Sequence, residues 1–188
     1  RDRSRGGQGL AEGWISAAAE GSRGIGSAAM TLLIRAATLD DHEALITQIW
    51  ALNCFEQELT QDRRTDLGGA QETLNEMITA TCQDGALLVA EQDGTVTGHL
   101  CLLFQSDDAY VIEKLRDHAL ISSLFVSESW RGKGVARALI ARAEAIAKAR
   151  GIQRLRLYTL CGNARARHIY EEAGFSVQGF DMVKPLTS

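Results

Sequence analysis

At 188 residues the chain is long enough for one sizeable hydrophobic core and too short for two ordinary domains. Apolar residues make up 45% and charged residues 23%, the balance of a water-soluble globular protein rather than a disordered one. A net charge of −4 argues against nucleic acid as a partner. No apolar run approaches the ~20 residues needed to span a bilayer, which argues against a membrane.

Residues 1–29 are rich in Gly, Ala, Ser and Arg and poor in large apolar side chains. They are expected to be a non-native or flexible N-terminal extension, with Met30 opening a single domain over residues 30–188. Within the extension, Gly21-Ser22-Arg23-Gly24-Ile25-Gly26 resembles the cofactor loop of short-chain dehydrogenases, and Tyr110 and Lys114 have a matching spacing. No buried strand precedes that loop and too little chain follows for such a fold, so this reading is rejected.

From Thr31 onward the elements follow in order. Residues 32–36 read as a first strand, and Thr38 or Asp40 as the cap of a helix whose stripe is Leu45, Ile49 and Leu52, ending near Phe55. A polar connection over 56–69 leads to a second helix with Leu74, Met77, Ile78 and Cys82 on one face. Residues 86–91 and 95–104 read as strands joined at Asp93-Gly94, a hairpin signal. Residues 105–117 read as an acidic, irregular excursion. Cys54, Cys82, Cys101 and Cys161 show no CxxC spacing, and three lie in apolar runs. They read as reduced core thiols, as expected of a cytoplasmic protein.

The most informative stretch is 119–150. An apolar strand, 119–126, passes through a short polar turn into Arg131-Gly132-Lys133-Gly134-Val135-Ala136. A helix follows with Val135, Leu139, Ile140, Ala143, Ile146 and Ala147 on one face. Strand, glycine-rich turn, helix places bare N–H groups at the positive end of a helix, a site for phosphate. Gly132 and Gly134 permit close approach of the backbone, while Arg131 and Lys133 add positive charge. The Walker pattern is absent, and the dinucleotide pattern fails because Arg137 stands where the third glycine belongs. Downstream, 154–160 reads as a strand, 163–173 as a helix, and 175–177 and 180–184 as short closing strands.

The turn resembles the pyrophosphate loop of the GNAT superfamily of acyl-CoA-dependent N-acetyltransferases, here Arg131-x-x-Gly134-x-Ala136. A second piece of that family's pattern follows as Asn163-x-x-Ala166-x-x-x-Tyr170-x-x-x-Gly174-Phe175. The likeness covers residues 31–185. It implies a mixed α+β fold, a mostly antiparallel twisted sheet with one splayed parallel strand pair, flanked by helices. It also implies acetyl-CoA as co-substrate, no metal, and a primary amine on a small molecule or peptide as acceptor.

By the same resemblance, the backbone of Leu124, Phe125 and Val126 holds the pantetheine arm, and residues 131–136 (Arg131, Gly132, Lys133, Gly134, Val135 and Ala136) hold the diphosphate. Asn163 caps the last helix and lies near pantetheine, while Ala166 leaves room for it. Tyr170 matches the tyrosine that protonates the departing thiolate, a role suited to a phenol that is neutral at pH 7. Core packing beside Ile169 and Ala173 is the competing reading for Tyr170.

No base is evident. Many relatives carry a Glu on the strand before the loop, where this chain has Ser122 and Ser123, either of which could order a relaying water. Glu56, Glu58, Glu113, Asp117 and His118 are further candidates. His99 and His118 read as structural, Glu128 as a solvated turn residue, and Cys161 as a weak candidate for a covalent acyl-enzyme. Acids at 56, 58, 62, 66, 107, 108 and 113 either surround a cationic acceptor or form an ordinary solvated surface. The missing Glu favours one alternative, a catalytically silent acyl-CoA-binding sensor. Pairing of the terminal strands across a homodimer is a further possibility.

Overall fold

The computed structural model describes residues 31–186. The glycine-rich loop over 21–26 and the extension to which it belongs lie outside the described residues. One five-stranded sheet runs in the order β1-β2-β3-β4-β5. Its strands are β1 (Leu33–Ala36), β2 (Gly85–Gln92), β3 (Thr95–Ser106), β4 (Asp117–Val126) and β5 (Leu155–Leu157). All neighbours are antiparallel except β4 and β5, which are parallel. Helices α1 (His42–Thr60) and α2 (Leu67–Asp84) cover one face. Helix α3 (Val135–Ala149) covers the other, and α4 (Ala164–Glu172) follows β5.

The two faces carry two cores, as alternation along the central strands requires. Leu88, Leu100, Leu102, Ala119 and Ile121 pack with Leu139, Ile140 and Ala143 of α3. Leu87, Val89 and Cys101 pack with Leu45 and Ile49 of α1 and with Ala70 and Leu74 of α2. Asp93 and Gly94 turn the β2–β3 hairpin with φ of 51° and 75°, the positive pair that a two-residue primed turn demands. No helix among the described residues is long and apolar enough to cross a membrane.

A bulge in β4 decides which residues reach the cleft. Ile121 pairs with Leu102 and Ser123 with Cys101, so Ser122 is an extra residue. Before the bulge, Ala119 and Ile121 face α3; after it, Leu124 and Val126 do. Ser123 and Phe125 therefore turn toward the α1 side, where His99 lies. The ladder between β4 and β5 ends at Ile121 and Leu157. Beyond that pair β5 ends, and among the described residues the β5-facing edge of residues 122–126 has no strand partner.

Several boundaries differ from the sequence reading. The first helix does not end at Phe55: the good helix formers of 56–60 continue it until Gln61 stops it in the left-handed region at φ 61°. Glu56 and Glu58 thus ride on α1. Helix α2 begins at Leu67 with Asp66 as its cap, the Asp66 Oδ1 accepting from the Gly69 N–H at 2.8 Å. The expected strand 154–160 shrinks to three residues, because the chain turns through Leu160 and Asn163 under α1. The expected strands 175–177 and 180–184 do not form. A three-residue β5 offers little ladder to extend, and Phe180, Met182 and Val183 stay at least 81% exposed. Of the four thiols only Cys101 is buried; Cys82 and Cys161 are exposed and Cys54 is intermediate, so the core-thiol reading holds for Cys101 alone.

Candidate active site

The cleft between β4 and β5 is bounded by three further elements. At the end of β4, a 3-10 turn at Glu128–Trp130 leads into the glycine-rich loop. Gly132 and Gly134 adopt φ of 78° and 82°, and a Cβ placed on either would meet nothing within 4 Å. These glycines are therefore required by backbone conformation, and the space over them is open. Gly134 caps α3, so the N–H groups of Val135, Ala136 and Arg137 open the helix without intrahelical acceptors. Such a mouth can hold an anion. Arg131 is drawn back to the strand end, its Nε donating to the Val126 carbonyl at 3.1 Å. Lys133 lies over the Trp130 ring, its Nζ 4.3 Å from the centroid.

On the opposite wall stands α4. Asn163 caps it, Oδ1 accepting from the Ala166 N–H at 3.0 Å, so that oxygen is already committed to the helix. Tyr170 packs into the α3-side core and meets Phe175 edge-on, ring centroids 6.0 Å apart. Burial pushes the Tyr170 phenol up to about 12, and the Glu56 carboxylate adds to the rise. The last turns of α1 close the third side. Gly162, in the turn before α4, abuts Leu59: a Cβ there would stand 3.1 Å from Leu59 Cδ2. Glu56 accepts from Arg63 Nε at 2.7 Å.

Leu124, Val126, Val135 and Tyr170 pack with the same α3-side core, residues 131–136 follow the end of β4, and Asn163 and Ala166 open α4. The structure disperses others. Asp107 is no part of an acceptor wall: it lies at the start of β4 and β5 and accepts from Arg156 at 2.9 Å and Arg154 at 3.2 Å. His118, buried beside it, donates from Nδ1 to the Arg116 carbonyl at 3.0 Å. Asp62 and Asp66 are likewise matched by Arg63 and Arg64. Of the acids that read either as an acceptor wall or as a solvated surface, Glu56, Asp62, Asp66 and Asp107 are paired with arginines. A separate recess lined by Ala147, Ile152, Arg154, Leu155 and Phe175 contains none of the expected site residues.

One buried group escaped the sequence reading. Gln48, on the apolar stripe between Leu45 and Ile49, donates from Nε2 to the Val96 carbonyl at 3.1 Å. Its Oε1 therefore faces His99 Nδ1 at 2.9 Å, and His99 Nε2 meets Ser123 Oγ at 3.0 Å. A polar residue at a stripe position was the available signal.

The chain belongs to the acetyltransferase (GNAT) family, whose model matches residues 48–175. The mixed five-stranded sheet flanked by helices is the fold of that family. A mycothiol acetyltransferase of Propionibacterium freudenreichii subsp. shermanii is 31% identical over 114 residues, 60% of this chain and 35% of that protein. A streptothricin acetyltransferase of Escherichia coli is 39% identical over 66 residues, 35% of this chain and 38% of that protein. The chain spans less than half the length of the curated relatives it matches. Among solved structures, the aminoglycoside N-acetyltransferase AAC(6')-Iy in complex with CoA superposes with a TM-score of 0.66. It is 16% identical, and the match covers 87% of this chain and all of that one, a likeness of fold.

Proposed function

We propose that the protein is a cytoplasmic N-acetyltransferase that moves the acetyl group of acetyl-CoA to a primary amine by direct attack. The observation that carries this reading is the parted β4–β5 pair ending in an open, glycine-lined helix mouth, with a neutral tyrosine on the facing wall. The residues fit the co-substrate: open space over Gly132 and Gly134 for a diphosphate, cations from Arg131 and Lys133, and an unpaired strand edge for pantetheine amides.

In this reading the backbone at Leu124, Phe125 and Val126 orients the thioester, and a main-chain N–H at Leu124 polarises its carbonyl. The amine enters uncharged and attacks. Tyr170 gives its proton to the leaving sulfur, and its burial together with the Glu56 charge keeps that proton in place until then. Asn163 and Ala166 shape the pantetheine wall. The acceptor is a primary amine of the kind suggested by the relatives' names, with an aminoglycoside-like or streptothricin-like polyamine first among those to try.

The test is release of free thiol from acetyl-CoA in the presence of a panel of amines, paired with thermal shifts by CoA and acetyl-CoA. Thiol release that depends on both acetyl-CoA and an amine is expected. Stabilisation by CoA without thiol release for any amine would instead mark an acyl-CoA sensor.

A further inference from the structure

The acetyl transfer proposed above leaves the amine's surplus proton without a destination, since residues 118–126 of β4 carry no carboxylate. The bulge at Ser122 supplies an alternative by turning Ser123 to the face where His99 lies. We propose that Ser123, backed by His99 and Gln48, is the proton-accepting side of the cleft, Ser123 touching the amine and the other two acting through it. This rests on the acetyltransferase reading.

Hydrogen bonding fixes the direction of the chain. Gln48 uses its N–H on the Val96 carbonyl at 3.1 Å, so its oxygen must accept from His99 Nδ1 at 2.9 Å. The imidazole is then the Nδ1–H tautomer with a lone pair on Nε2, and the Ser123 hydroxyl donates into it at 3.0 Å. The lone pairs of Ser123 Oγ are left for a donor in the cleft. Serine, histidine and an orienting side-chain oxygen stand in the order that moves a proton in hydrolytic triads, with an amide in place of the carboxylate. Ser123 is 8% exposed and lies beyond the last β4–β5 pair, and His99 is fully buried behind it.

The groups around His99 are Gln48 from α1, Val89 from β2, and Ser123 and Phe125 from β4, the Phe125 ring stacking on the imidazole at 6.0 Å. None is charged. Burial alone holds the imidazole down to about 4. So weak a base takes no proton from a free ammonium ion. It can take one from a nitrogen made strongly acidic by bonding to the carbonyl carbon. As that N–C bond forms, the nitrogen's proton passes to Ser123 Oγ while the Ser123 proton passes to His99 Nε2. The C–S bond breaks, its electron pair leaves on sulfur, and the thiolate takes the Tyr170 proton. The imidazolium returns its proton through Ser123 to water, and Tyr170 is reprotonated.

The experiment follows thiol release from acetyl-CoA with spermidine, kanamycin and a lysine peptide, as a function of pH. Ser123→Ala is expected to lower kcat about 10²-fold with the KM for acetyl-CoA within about twofold. Gln48→Glu places a carboxylate on the imidazole N–H and raises its pKa, so the acidic limb of kcat moves to higher pH by about one unit or more. In the Gln48→Glu, Ser123→Ala double variant no limb shift is expected, because His99 is cut off from the reaction. A role limited to packing predicts no shift in either case. Unchanged kcat in Ser123→Ala, or an unshifted limb in Gln48→Glu, overturns this inference while the acetyltransferase reading stands. Absence of wild-type thiol release with every amine overturns both.

Discussion

Glu56 on α1 and Tyr170 on α4 lie close enough for the carboxylate's charge to tighten the phenol's hold on its proton. Burial does most of this, and Glu56 adds to it. The pair spans the two halves of the chain, so the acid proposed for catalysis is set by a helix far away in sequence.

Tyr170→Phe is expected to reduce kcat by about 10²-fold or more, the usual weight of a positioned general acid, with acetyl-CoA affinity little changed. With the phenol held up to about 12, wild-type kcat should show no descending limb attributable to Tyr170 below pH 10. Glu56→Gln removes the second cause of the rise, so the phenol's titration, followed by ultraviolet difference absorbance, should move to lower pH. Turnover in Tyr170→Phe that matches wild type across the pH range would remove Tyr170 from the reaction.

Gly134 sits at φ 82° in open space, so a Cβ there meets no protein atom but does suffer backbone strain of about 1–2 kcal/mol. Gly134→Val adds bulk over the helix mouth as well. It is expected to cost little more than that strain in apo stability and to abolish the thermal shift produced by CoA. A full CoA shift in this variant would mean that the diphosphate lies elsewhere.

Gly98 pairs with Val126 at the β4 end of the cleft, and a Cβ on it would stand 2.5 Å from the Phe125 carbonyl oxygen. That contact is with backbone, so β4 must move. Gly98→Ala should destabilise the protein by about 2 kcal/mol and weaken CoA binding together, measured by urea unfolding and by titration. Loss of stability with CoA binding intact would separate the strand position from the site.

Asp41 is 3% exposed and accepts from both terminal nitrogens of Arg35, at 2.7 and 2.8 Å, and from the Thr38 N–H at 2.7 Å. Burial pushes its carboxyl up, but the Arg35 and Thr38 hydrogen bonds outweigh that and hold it below the usual aspartate range. A depressed pKa stabilises the fold above the unfolded value near 4, and the contribution fades as pH falls through the folded value. Asp41→Ala should therefore cost about 3 kcal/mol at pH 7 and flatten the acid side of the stability profile. An equal loss at pH 7 and pH 2 would contradict this.

The sequence displayed the frame of the fold through local signals. The stripe on α3, the turn at Asp93-Gly94 and the loop at 131–136 each depend on residues a few positions apart, and each lies where the pattern placed it. Helix α1 runs past Phe55 because Glu56, Gln57 and Glu58 are polar yet favour helix, so polarity alone does not mark its end. The closing strands failed because Phe180 and Val183 have strand character but no ladder long enough to join. The pairing of Asp107 with Arg154 and Arg156, and of Gln48 with His99, joins residues about fifty positions apart. No local periodicity announces such contacts, so Asp107, which the sequence offers either to an acceptor or to solvent, is the shared partner of two arginines.

The extra residue in β4 gives the strand a phase as well as a length. Side chains upstream and downstream of Ser122 are out of step by one position, and the cleft uses both settings. Nearly any residue could occupy position 122, so replacing it should matter little. Deleting it would remove the bulge yet leave both pairings in place, Ile121 on Leu102 and Ser123 on Cys101, so each face should keep its side chains while the strand loses its local kink.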